Sequence, residues 1–103
     1  QARAQLLPQL DAAMADFDLL ALPTVPLLAP NIESLSDEAR FHATNVLMLR
    51  NTSVFNFYDL PPVSLPLPRQ AGELPVGVML VGQRGADRQL LAMAAAVEQH
   101  LQA

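Results

Sequence analysis

Covalent catalysis needs a nucleophile, a base and a group that steadies developing charge, and this chain holds few side chains able to supply them. Its serines stand at 34, 36, 53 and 64, its histidines are His42 and His100, and it has neither lysine nor cysteine. A serine is a weak nucleophile without an adjacent base, and no Gly-x-Ser-x-Gly elbow surrounds any of the four. His42 lies between Phe41 and Asn45 in a helix-forming stretch. His100 falls near a predicted helix C-terminus, where its cationic form meets the negative end of the helix dipole. Both are read as structural. Two histidines so far apart, with no carboxylate at ligand spacing, make no metal site, and the lack of cysteine removes thiolate sites and disulfides. No cofactor or metal is expected.

Other polar groupings have simple structural readings. The carboxylate pairs Asp16 with Asp18 and Asp37 with Glu38 suit a strand end and a helix first turn, where negative charge meets the positive end of the dipole. Gly82-Gln83-Arg84-Gly85 before a helix has the look of a phosphate-cradling loop. It lacks the Walker spacing and its lysine, and Asp87 stands where an anion would go, so Asp87 is read as an N-terminal helix charge. Asn51-Thr52-Ser53 satisfies the glycosylation pattern and is read as a chance match.

Composition narrows the class. The 103 residues are 51% hydrophobic and 16% charged, more apolar than so short a chain easily covers by itself. A missing partner segment, or self-association of the chain, accounts for that excess. The net charge of −4 and six dispersed arginines argue against a nucleic-acid groove or an anionic membrane surface, both of which need clustered cations. No run approaches the roughly 18 apolar residues of a membrane span, and no secretory signal is evident, so a cytoplasmic protein is expected. The whole chain, 1–103, reads as a single unit.

The elements follow from hydrophobic spacing. Residues 2–15 place Leu6, Leu7, Leu10, Ala13 and Met14 on one helical face, with Pro8 either kinking the helix or marking its start. Residues 17–22 read as a strand buried on both faces in a parallel or mixed sheet. Residues 27–35 read as a loop, and Ser34 with Asp37, or Ser36 followed by two acids, would cap a helix from about 37 to 50 that resumes over 52–58. Prolines at 61, 62 and 66 make 63–67 a strand near an edge. Residues 69–73 form a polar turn, 76–82 a strand apolar on both faces, and 86–102 an amphipathic helix with Leu90, Ala94, Val97 and Leu101 on one side. The residues alone thus give an α/β unit with no self-contained active site.

Five segments, in order, carry a resemblance. They are Asp18 through Thr24, Thr52-Ser53-Val54-Phe55-Asn56, Asp59-Leu60-Pro61 through Pro66, Glu73-Leu74-Pro75-Val76-Gly77 through Gly82, and the helix from Asp87 to Gln99. Together they resemble the end of an amidase signature enzyme, over nearly the whole chain. Asp59 and Glu73 stand where glycine is common in that family.

The resemblance implies an α/β/α sandwich around a mixed sheet, of which this chain forms a C-terminal segment. It implies amide hydrolysis through an acyl-enzyme by a nucleophilic serine, a bridging serine and a lysine, all lying upstream of the residues present. No catalytic residue falls within the chain on this reading. Its partners would be the N-terminal part of the amidase and a small-molecule amide substrate. Thr52, Phe55 and Asn56 are implied to line the substrate pocket; the bland alternative makes Phe55 core and the other two braces of the turn before Pro61. A stand-alone structural or interaction module that kept the fold without the chemistry is the other reading of the chain.

Overall fold

The structure, a computed structural model, describes residues 2–102. Helix α1 spans Ala2–Met14 and contains Pro8 well inside it, so the proline does not mark the helix start. Strand β1 is Leu20–Pro23, a 3-10 helix covers Ile32–Leu35, and helix α2 runs without a break over Glu38–Tyr58. Strands β2, Pro62–Pro66, and β3, Gly77–Val81, precede helix α3, Asp87–Gln102.

The three strands form one sheet in the order β1-β3-β2, and both pairings are antiparallel. Leu20 lies opposite Val81 on one side of β3 and Pro62 opposite Val81 on the other. The prolines Pro23, Pro62 and Pro66 all fall on the outer strands of this sheet, where a missing N–H disrupts the ladder least. The apolar run 17–22 predicts a strand of a parallel or mixed sheet, buried on both faces. The strand instead begins at Leu20, pairs antiparallel and is the outer strand of the three, and Phe17 is 64% exposed in the turn after α1.

Side chains of β3 alternate between two cores, as period-2 geometry requires. Met79 and Val81 join Met14, Phe55 and Leu60 on the α1 and α2 side, with Leu10, Leu22 and Tyr58 packed around them. Leu80 joins Leu65, Leu90 and Ala94 on the α3 side, supported by Val63, Val78 and Val97. Helices on both faces of a sheet make an α/β/α layering, the fold class expected from the sequence.

Helix ends show why these elements stop where they do. Asp37, not Ser34 or Ser36, is the N-cap of α2, its carboxylate accepting from the Arg40 N–H at 3.0 Å. Ser34 and Ser36 belong to the 3-10 segment, where their hydroxyls bond the carbonyls of Asn31 and Glu33. At the other end Asp59 adopts φ 60°, ψ 44°, the Asp59 N–H bonds the Asn56 carbonyl and the Leu60 N–H bonds the Phe55 carbonyl. These are the two bonds of a Schellman turn, and Leu60 packs with Phe55 as that turn requires. A left-handed residue at this position is why glycine suits it.

Neither α1 nor α2 has a basic residue in its last turn, and distant donors serve their carbonyls instead. Gln83 Nε2 donates to the carbonyls of Met14 (3.2 Å) and Phe17 (3.0 Å). Arg84 reaches the Tyr58 carbonyl at 2.6 Å and the Asp11 carboxylate at 2.7 Å, and Arg3 Nε reaches the Phe57 carbonyl at 2.6 Å. The Gly82–Gly85 segment thus ties two helix ends to the sheet. Glu73 also has a local task, its carboxylate accepting from the Gln70 N–H at 2.9 Å to close the hairpin turn.

Gly77 marks a close approach. A Cβ there would lie 2.9 Å from Ser64 Oγ and 3.0 Å from Thr24 Oγ1, the two hydroxyls that bond each other at 2.6 Å across the β3 start. Gly77→Ala therefore lowers stability by about 1–3 kcal/mol, as overpacking does. Adding Ser64→Ala recovers part of that loss, which a double-mutant cycle in denaturant reads as a non-additive pair. Asp59→Gly raises stability by up to about 1 kcal/mol, because it relieves a left-handed non-glycine residue and loses only an exposed 3.9 Å contact to Arg3. A thermal midpoint unchanged or lowered by Asp59→Gly would contradict this account of the turn.

Candidate functional site

The open end of the sheet, where β1 stops and β3 starts, carries a cleft. Its volume is about 420 Å³, and its walls are the segment 23–29, Met48 of α2, and Pro75, Val76 and Gly77. Pro23 and Pro26 fix φ along the first of these walls, and the residue before each proline is steered to extended backbone. The lining holds no titratable side chain, so a bound group meets apolar surface, backbone amides and the Thr24 hydroxyl. Such a cleft orients an uncharged group and performs no proton transfer of its own.

Asn51 sits beside this cleft and anchors the start of its first wall. It is the buried polar residue of the described chain, at 9% exposure, and its Nδ2 donates to the Pro23 carbonyl at 2.8 Å. Its Oδ1 accepts from Arg50 Nε at 3.2 Å. The glycosylation pattern at Asn51 therefore marks a packed, bonded amide. Neither Asn51 nor the segment 23–29 stands out as a site in the sequence. The available signal is the Pro23-Thr24-Val25-Pro26 spacing, which holds a chain extended without placing it in a sheet interior.

Thr52, Phe55 and Asn56 do not line the cleft. Phe55 is buried in the core beneath α2, Thr52 is half-buried with its hydroxyl on the Leu49 carbonyl at 3.3 Å, and Asn56 is exposed. Thr52 and Asn56, four residues apart, share one side of the helix. His42 and Ser53 lie along a second, shallow groove on α2 with Val46, Leu49 and Arg50, while His100 sits in the last turn of α3 as expected. Among the described residues, no three His, Asp or Glu side chains gather where a metal could sit.

Two features show how much apolar surface this arrangement leaves open. Val46 is 63% and Leu49 53% exposed on α2, and Phe41, Val54 and Phe57 are exposed on the same helix. A helix with apolar side chains around so much of its girth is the kind found inside larger structures. The described chain is also a slab of 43 × 43 × 17 Å with a radius of gyration of 16.1 Å, where about 13 Å is usual for this length. None of its helices is long and apolar enough to cross a membrane.

A profile of the family described as Amidase matches residues 1–91. The chain is 39% identical over 100 residues to a glutamyl-tRNA(Gln) amidotransferase subunit of Halobacterium salinarum, covering 96% of this chain and 22% of that protein. It is 29% identical over 83 residues to 2-amino-5-chloromuconic acid deaminase of Comamonas testosteroni, covering 81% of this chain and 18% of that one. Among solved structures, 6-aminohexanoate cyclic dimer hydrolase superposes with a TM-score of 0.78 at 29% identity, over 96% of this chain and 23% of its own. The chain thus spans about a fifth of the length of these relatives. With its motifs in family order and its layers superposing on a family structure, the chain belongs to the amidase signature family.

Proposed function

We propose that this chain works as the C-terminal part of an amidase that hydrolyses carbon–nitrogen amide bonds. On this reading a serine attacks the amide carbonyl, backbone N–H groups steady the oxyanion, the amine leaves, and water hydrolyses the acyl-enzyme. The nucleophilic serine, the bridging serine and the lysine come from outside these 103 residues. The family match carries the proposal, and the chain's own side chains agree with it. It has no lysine, Ser34 and Ser36 bond local carbonyls, and Ser64 is paired with Thr24.

The same proposal gives the open surfaces an occupant. The exposed side of α2 packs against the remainder of the amidase, and Thr52 and Asn56, one and two turns along α2 from the cleft wall at Met48, extend the substrate pocket beyond the 23–29 cleft, with Phe55 anchoring that turn from the core. The substrate is a small-molecule amide. The proposal keeps the cytoplasmic location expected from the sequence.

Serine-directed labelling tests the catalytic assignment. A fluorophosphonate probe on the full-length protein is expected to modify one serine, outside the 103 residues, with loss of amide hydrolysis. Adduct on Ser34, Ser36, Ser53 or Ser64 would contradict it. The open surface makes a separate prediction. Residues 1–103 expressed alone self-associate or bind a hydrophobic dye, because exposed apolar patches beyond a few hundred Å² are rarely left in water. Sedimentation of a stable monomer that binds no dye would show that nothing larger is needed to cover α2.

A further inference from the structure

We propose that Asn51 is the positioning residue of the cleft, holding the segment 23–29 at the spacing at which an uncharged end of the substrate enters. Met48 and Asn51 are three residues apart on α2 and so lie on one face. Met48 forms one wall of the cleft, and Asn51 bonds the carbonyl of Pro23, the first residue of the opposite wall, at 2.8 Å. The next residue, Thr24, is held on its other side by its N–H to the Gly77 carbonyl at 3.1 Å and by its hydroxyl to Ser64 at 2.6 Å. Beyond Thr24, no side-chain hydrogen bond among the described residues holds 25–29. The position of that apolar wall therefore depends on how Pro23 and Thr24 are fixed.

Asn51 is suited to this because it supplies a donor where α2 faces a strand end. A carbonyl left unpaired in that setting costs more than a hydrogen bond gained in water. The cleft has no charged lining, so its selectivity comes from shape, and shape is what the Asn51 bond sets. The substrate part of this inference rests on the amidase reading above. The structural part does not.

Two variants of the full-length protein separate the roles. Asn51→Leu fills the same space without polar atoms, and Asn51→Asp keeps the acceptor for Arg50 while losing the donor to Pro23. Hydrogen exchange followed by mass spectrometry is expected to show amides of 24–29 exchanging about tenfold faster in both variants, with β3 amides unchanged. With a series of straight-chain primary amides, both variants are expected to raise KM about tenfold for the longer chains and to leave kcat within about twofold. Unchanged exchange at 24–29, or an equal rise across the whole sheet, would overturn the positioning role. So would Asn51→Asp behaving as the parent protein does, since the Arg50 contact would then be the one that matters. If the parent protein hydrolyses none of these amides, the amidase reading fails, and the exchange result still decides the role of Asn51.

Discussion

Everything in this structure hangs on the double burial of β3. Val81 is 0% and Met79 1% exposed, and Leu80 between them is buried on the opposite face. A strand with no solvent-facing side must be covered twice, so one set of helices has to lie on each face of the sheet. That single demand orders the chain. Helices α1 and α2 close over Met79 and Val81, α3 closes over Leu80, and β1 and β2 shield the two sides of the strand. The Gly82–Gly85 segment that leaves β3 then spends its side chains on the C-terminal carbonyls of α1 and α2.

The parts of this that period and punctuation determine are legible in the sequence. The unbroken apolar run from Val78 to Val81 could only be a central strand or a buried helix, and the flanking Gly77 and Gly82 decide for the strand. The 3.6-residue spacing of Leu90, Ala94 and Val97 marks α3 and its buried face. Prolines at 62 and 66 mark an outer strand. What stays hidden depends on competition between similar local signals. Ser34, Ser36 and Asp37 are all good caps, and the 3-10 turn over Ile32–Leu35, whose local carbonyls take the Ser34 and Ser36 hydroxyls, leaves Asp37 as the one at the helix start. The run 17–22 is apolar enough for an inner strand, yet its neighbour in space is β3 alone among the described strands, and pairing partners are not written in a run.

The candidate site is less legible in the sequence, for a physical reason. Its walls come from three separated stretches, 23–29, Met48 and 75–77, and their shape depends on a side chain, Asn51, whose bond spans 28 residues of sequence. Local motifs nonetheless acquire reasons in the fold. The glycine of Leu74-Pro75-Val76-Gly77 is where the Thr24 and Ser64 hydroxyls pass, and the residue before Leu60-Pro61 ends α2 in a left-handed turn. These motifs name the family through packing constraints, which is why they are recognisable in a stretch that holds no catalytic lysine.

As proposed, the chain belongs to an amidase and supports its chemistry without supplying the reacting groups. Ammonia release from a primary amide by the full-length protein, with Ser34, Ser36, Ser53 and Ser64 all changed to alanine, tests it most directly. The folded quadruple variant is expected to retain kcat within about tenfold of its parent, since the nucleophile is untouched. A folded variant with turnover reduced by about a thousandfold or more, as loss of a serine nucleophile produces, would contradict it.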